Sequence, residues 1–222
     1  MIALIVVNGP GEGFGPWENQ VRQARLVVAA DGGARRARAL GLVPHALVGD
    51  ADSLDEETAR WLEEQGAARV QHPRAKDETD LELALLHAVE AGADEILVLG
   101  AWGGRPDQSI ANLQLLAHPR LAGRVVRLLG STYQMFLLHG GEGRTITGRV
   151  GDTVSLLPLN GDARGICTAG LRWKLDGETL SFGPARGISN EMTAPLARVS
   201  VEEGLLLVVH LVRAPWTAEE KT

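Results

Sequence analysis

The chain reads as an α/β protein: a mainly parallel sheet flanked by helices, followed by a smaller C-terminal antiparallel β-sandwich or barrel domain. Three observations predict this. From residue 2 to about 128, short apolar runs alternate with helical patterns, as in successive βα units. Polar, glycine-containing segments follow the carboxyl ends of those runs, where open α/β sheets place ligands. Beyond about residue 138, short strand-like runs are separated by Gly, Asn and Asp, the spacing of a small antiparallel unit.

Taken in order, strands are expected over 2–7, 26–30, 46–48, 68–71, 95–99 and 124–128. Helices are expected over 34–40, 55–64, 79–91 and 107–116, with a shorter one over 17–24. The opening run has no basic flank and no small-residue cleavage site, and it leads into Asn8-Gly9-Pro10, so it reads as a first strand and not a signal peptide. Thr79 is a good N-cap for the helix that follows it, and Glu82 completes a capping box. In the second half, strand-like runs fall at 145–146, 153–157, 171–175, 179–182, 197–201 and 205–211. Residues 129–138 then form a crossing strand and linker, which sets an α/β domain at 1–130, a β domain at 139–213 and a polar tail at 214–222, with Trp216 pinning the tail.

Composition narrows the function. A formal charge of −6 argues against sequence-independent nucleic-acid binding, which needs clustered positive charge. The lone Cys167 excludes an intramolecular disulfide and suits a reducing compartment, so a cytoplasmic location is expected. No apolar run approaches the roughly 18 residues that span a bilayer. Six scattered histidines show no zinc-ligand spacing.

The chemistry is concentrated between Gly49 and Glu82, where Asp50, Asp52, Asp77, Asp80 and Glu82 gather around Lys76. Carboxylates crowded in this way repel one another unless a cation sits among them, which points to Mg²⁺. Asp50 and Asp52 follow a strand end two residues apart, so in extended backbone both project to one side and can meet one ion. Asp31-Gly32-Gly33 follows the second strand, where a dinucleotide fold would hold a ribose hydroxyl, although no G-x-G-x-x-G fingerprint is present. Arg105, among glycines at the start of a helix with Asp107 and Gln108, is suited to grip phosphate. Each feature has a plainer reading: the acids as helix caps, Asp31 as a turn and cap, Arg35, Arg36 and Arg38 as a solvated helix face, and Trp173 as a core residue.

Together these motifs resemble the thiamine pyrophosphokinase family. The matching segments are Asp31-Gly-Gly, Gly49-Asp-Ala-Asp-Ser53, Lys76-Asp-x-Thr-Asp80-x-Glu82, Gly103-Gly-Arg-x-Asp107-Gln108 with Asn112, Thr168-x-Gly-Leu-x-Trp-x-Leu175 and Ser189-Asn-Glu191, in that order. The resemblance implies ATP and thiamine as substrates, Mg²⁺ as cofactor, and a homodimer with active sites between subunits. It also implies metal-holding roles for Asp50, Asp52 and Asp80, and thiamine contacts from Trp173, Ser189 and Asn190. Asp31, Lys76, Asp77, Thr79, Asp107 and Gln108 would then approach the nucleotide and its phosphates, with Arg105 adding positive charge. Ala51 stands where the family often has a larger residue, and Gln108 where many bacterial members have His, so no histidine base is expected there. The rival readings are a pyrophosphokinase for another heterocyclic alcohol such as a pterin, a non-catalytic nucleotide or thiamine sensor, and a dinucleotide-binding oxidoreductase.

Overall fold

The computed structural model describes residues 1–11, 13–50, 54–71 and 77–213. They belong to two compact units, Met1–Ser131 and Thr132–Thr222.

The first unit alternates strands and helices: β1 (Ile2–Val6), α1 (Glu18–Arg22), β2 (Leu26–Ala30), α2 (Gly33–Ala39), β3 (Ala46–Gly49), α3 (Glu56–Glu64), β4 (Ala68–Gln71), α4 (Asp80–Glu90), β5 (Glu95–Leu99), α5 (Pro106–Gln114) and β6 (Val125–Leu129). Among the described residues the strands lie in the order β4-β3-β2-β1-β5-β6, all parallel. The chain winds outward from β1 to β4 and then returns to the far side of β1. The direction of winding therefore switches between β1 and β5, which opens a crevice at their carboxyl ends. Ala3, Leu4, Ile5 and Val6 are fully buried, as expected of a central parallel strand covered on both faces. The edge strand β4 is largely exposed, and its Arg69 and Gln71 discourage further pairing.

Local chemistry sets the helix starts. Asp55 caps α3 by accepting from the Thr58 amide at 2.8 Å and the Thr58 hydroxyl at 3.0 Å, and its carboxyl is held below the usual range as a result. Leu62 of α3 packs with Ala29, Ala34 and Leu47 against the sheet. Thr79 caps α4 as expected, its Oγ1 accepting from Glu82 N at 3.2 Å. The capping box is only half formed, because the Glu82 carboxylate lies 3.5 Å from His118 Nε2 instead of reaching back to Thr79.

The second unit comprises β7 (Tyr133–His139), β8 (Gly143–Thr147), β9 (Thr153–Ala169), β10 (Asp176–Leu180), β11 (Asn190–Glu191), β12 (Leu196–Ser200) and β13 (Glu203–Leu211). Its order is β7-β13-β9-β12-β8, with β10 and β11 also on β9, and the pairing is antiparallel throughout. Strand β9 is 17 residues long and serves two sheets. Its first half pairs with β13 and its second with β10 and β12. The turn between the halves falls at Asn160 and Gly161, whose φ angles of 59° and 114° are left-handed. Phe136, Leu156, Ile166, Met192, Val199 and Leu206 belong to the single core enclosed in this way.

Three expectations change here. Residues 171–175 are not a strand: Leu171 makes an isolated bridge to Met192, and the segment turns. The run at 153–157 is the start of a much longer strand, and the segment at 129–138 supplies the end of β6 and most of β7. The 214–222 tail, with Trp216, lies outside the described residues.

A buried polar chain, unanticipated from the sequence, ties this unit together. His210 bridges Gln134 Nε2 (3.0 Å to Nδ1) and Asp152 Oδ2 (2.9 Å to Nε2), and Asp152 also accepts from the amides of Arg149 at 2.8 Å and Arg213 at 2.9 Å. Burial alone would push the Asp152 carboxyl up, but the two amides and His210 outweigh it and hold it below the usual carboxylate range. Among the described residues no helix is long and apolar enough to cross a membrane.

Candidate active site

The carboxyl ends of β2 and β3 and the first turn of α4 converge. Gly49 closes β3 with a φ of 144°, and a Cβ built there would lie 3.2 Å from Asp31 Cβ and 3.2 Å from Asp80 Oδ1. That φ favours glycine, and its missing side chain lets both acids lie close beside the backbone that leads into Asp50. Asp31 is held in a left-handed conformation, φ 43°, by its amide bond to Val48 O at 2.9 Å. Asp31 opens the turn into α2, its carbonyl accepting from Ala34 N at 3.1 Å, and Gly32 occupies the N-cap position of that helix.

These residues open onto a cavity of about 290 Å³ whose lining includes Asn8, Asp31, Thr79, Asp80, Gln108 and Asn112. Asp50 is half-buried at the end of β3. Asp77 is exposed just ahead of the Thr79 cap. Asp52 and Lys76 lie outside the described residues. Among the described residues no three carboxylate, imidazole or thiol side chains stand close enough to bind a metal ion by themselves.

The loop after β5 presents a second set of groups. Arg105 is the N-cap residue of α5 with Pro106 behind it, so Asp107 sits in the first turn and is not the cap. The exposed Arg105 guanidinium forks onto Asp107, Nε to Oδ1 at 3.1 Å and Nη2 to Oδ2 at 2.5 Å. That fork, helped by the Gln108 amide, holds the Asp107 carboxyl down at about 2 and raises Arg105 further. Ser109, buried, fixes the loop by accepting from Gly103 N at 3.0 Å and donating to Arg105 O at 3.0 Å. Asn112 donates to Ala101 O at 2.7 Å from the cavity wall.

In the second unit, Trp173 is 57% exposed, which overturns its reading as a core residue. It borders a cavity of about 360 Å³ with Leu175, Leu180, Arg186, Ile188 and Asn190. Asn190 is buried and clamps the tryptophan backbone, accepting from Trp173 N at 3.0 Å and donating to Trp173 O at 2.7 Å. Arg172 lies over the indole, 5.3 Å from its centroid. Ser189, exposed with φ 61°, is placed by its amide bond to Ser155 Oγ at 3.0 Å.

Fold and site define a class: an α/β unit with an acidic cavity at the carboxyl ends of its parallel strands, followed by an all-β unit with an aromatic-rimmed cavity. Comparison with known proteins supplies the family. The model described as thiamin pyrophosphokinase, catalytic domain, matches residues 17–127, and the one described as thiamin pyrophosphokinase, vitamin B1 binding domain, matches 144–206. A thiamine pyrophosphokinase of Bacillus subtilis (strain 168) is 27% identical over 205 residues, spanning 92% of this chain and 96% of its own length. Thiamine pyrophosphokinase 1 of Oryza sativa subsp. japonica is 29% identical over 235 residues, spanning 94% and 87%. The crystal structure of the Bacillus subtilis protein matches with a TM-score of 0.85 at 27% identity, covering 96% of this chain and 100% of that one. A thiamin pyrophosphokinase from Candida albicans shares the fold, with a TM-score of 0.76 at 16% identity over 95% of this chain and 90% of that one. The chain belongs to the thiamin pyrophosphokinase family.

Proposed function

We propose that the strand-end acids and the tryptophan cavity divide between them the reaction of this family, transfer of the pyrophosphoryl group of ATP to the hydroxyl of thiamine to give thiamine diphosphate and AMP. As a member of the family, the chain is a transferase that uses ATP as a substrate. The observation that carries the assignment of the acids is their convergence on Gly49, which leaves a carboxylate-lined cavity at the ends of parallel strands.

The donor set fits Mg²⁺, because hard carboxylate oxygens are its preferred protein ligands and Asp80 Oδ1 sits against the backbone that leads into Asp50. Asp50, Asp52 and Asp80 would hold the ion, which when bound offsets the charge of the moving pyrophosphoryl group. Asp31, Thr79, Asp77 and Gln108 border the nucleotide, and Arg105, oriented by Asp107, offers forked donors at the start of α5 with Lys76 as a second cation. The hydroxyl of thiamine attacks the β-phosphorus in line, AMP leaves, and a carboxylate of the cluster takes the proton. Trp173 offers a flat apolar face to the vitamin, with Ser189 and Asn190 beside it. Family resemblance supports a homodimer with active sites between subunits. The single free Cys167 suits a cytoplasmic location.

Incubation with ATP, Mg²⁺ and thiamine tests the assignment: AMP and thiamine diphosphate should appear together. ADP would mean ordinary kinase chemistry, and no nucleotide product would favour a sensor. A solution mass of one chain, 23.7 kDa, would remove the homodimer.

A further inference from the structure

We infer that Arg36 is a positioning residue for the nucleotide side of this reaction, locking the loop after β1 to the loop after β5. Of the three arginines on α2, it alone turns toward the crevice at the winding switch. Arg35 is exposed, and Arg38 pairs with Glu57 at 2.8 Å and lies 5.9 Å from the Trp61 centroid. Arg36 Nη1 donates to Gly9 O at 2.8 Å. The same nitrogen fills the space a side chain at Gly100 would need, 2.1 Å from a Cβ built there, and Nη2 lies 3.5 Å from a Cβ built at Gly11.

The two loops interlock around this guanidinium. A Cβ at Gly9 would fall 1.9 Å from Gly100 O, and one at Gly103 would fall 2.7 Å from Pro10 Cγ. Val7 N also donates to Leu99 O at 2.8 Å. The planar fork of arginine can lie against Gly100 while it donates to Gly9, which a lysine ammonium cannot reproduce. The consequence reaches the cavity, because Val7 and Asn8 line it from the β1 side, while Asn112, bonded to Ala101 O, lines it from the β5 side. Arg36 is absent from that lining, so it acts through the loops and not on the substrate.

The inference rests on the proposed nucleotide site, and its test keeps the two separate. In the ATP–thiamine assay, Arg36→Ala should lose about tenfold or more in kcat/KM for ATP while the KM for thiamine stays put, since small misplacements at a reacting centre are costly. Low guanidinium concentrations should restore part of that loss, and Arg36→Lys should fall between the two. Hydrogen exchange supplies a readout free of activity: the amides of 7–11 and 100–104 should exchange faster in Arg36→Ala, with the rest of the unit unchanged. Wild-type kinetics in Arg36→Ala would overturn the inference, as would a loss that merely follows the unfolded fraction without guanidinium rescue. If the wild-type protein makes no AMP, the proposed function fails, and the exchange experiment still decides the loop lock: unchanged exchange in those segments overturns it.

Discussion

The two cavities are built in opposite ways. In the α/β unit, backbone makes the cavity: Gly33 and Gly9 each have a carbonyl oxygen where a side chain would stand, and Gly49 runs close beside Asp31 and Asp80, so strand ends and a helix start crowd together and the acids come with them. In the β unit a side chain makes the site, because Trp173 stands on a turn with no ladder of its own, held by the Asn190 carboxamide. A scaffold of parallel strands delivers charge to one place by topology. An exposed aromatic face on a turn needs a dedicated clamp, and a single residue can undo it.

That contrast can be broken most forcefully at the acids. Asp80→Asn, and likewise Asp52→Asn, should lower turnover by about 10²- to 10³-fold while circular dichroism and Tm stay near wild type, because the lost charge acts on the transition state. Near-normal turnover in both variants would remove the metal-site assignment. Next in size is a stability effect confined to the β unit: Asp152→Ala leaves His210 buried without its carboxylate and should cost about 3 kcal/mol in denaturant unfolding. Because the Asp152 carboxyl is lowered in the folded protein, its contribution is complete above the ordinary carboxylate range and disappears as pH falls through the folded value. Asp152→Asn should therefore flatten the acid limb of the stability profile, and an unchanged limb would contradict the network.

The recognition side should respond more mildly. Trp173→Ala should raise the KM for thiamine by about tenfold with the KM for ATP unchanged, the size expected for one aromatic face. Asn190→Ala should imitate it in part, since it releases the clamp but keeps the ring; equal effects on both substrates would blur the division between the units. Smallest of all, Asp107→Asn should change the KM for ATP by about threefold or less, as expected for an exposed ion pair. Since the Asp107 carboxyl is held at about 2, this substitution should leave the pH profile near neutrality unmoved.

Legibility followed the same divide. The parallel strands could be read because each is an apolar run; the placement of Asp31 and Asp50 after strand ends, and of Asp80 behind the Thr79 cap of α4, could be read from the same alternation and from cap chemistry. The inward turn of Arg36 could not: Arg35, Arg36 and Arg38 differ only in which way each points on a short helix, and glycines at 9 and 100 decide that from far along the chain. In the β unit the alternation was misleading at 171–175, where Leu171 and Leu175 face the core but Trp173 does not. The Asp152–His210 pair spans 58 positions, beyond the reach of any local pattern. Strand β9 looked like a short run because Asn160-Gly161, ordinarily a turn signal, here bends a strand without ending it.

That bend has a mechanical outcome. A strand that belongs to two sheets at once is a shared hinge pin, so neither sheet can peel away without tearing its partner's ladder. Partial opening of the β unit is thereby suppressed, and its slowest amides, on β9 and β13, should exchange only when the whole unit comes apart.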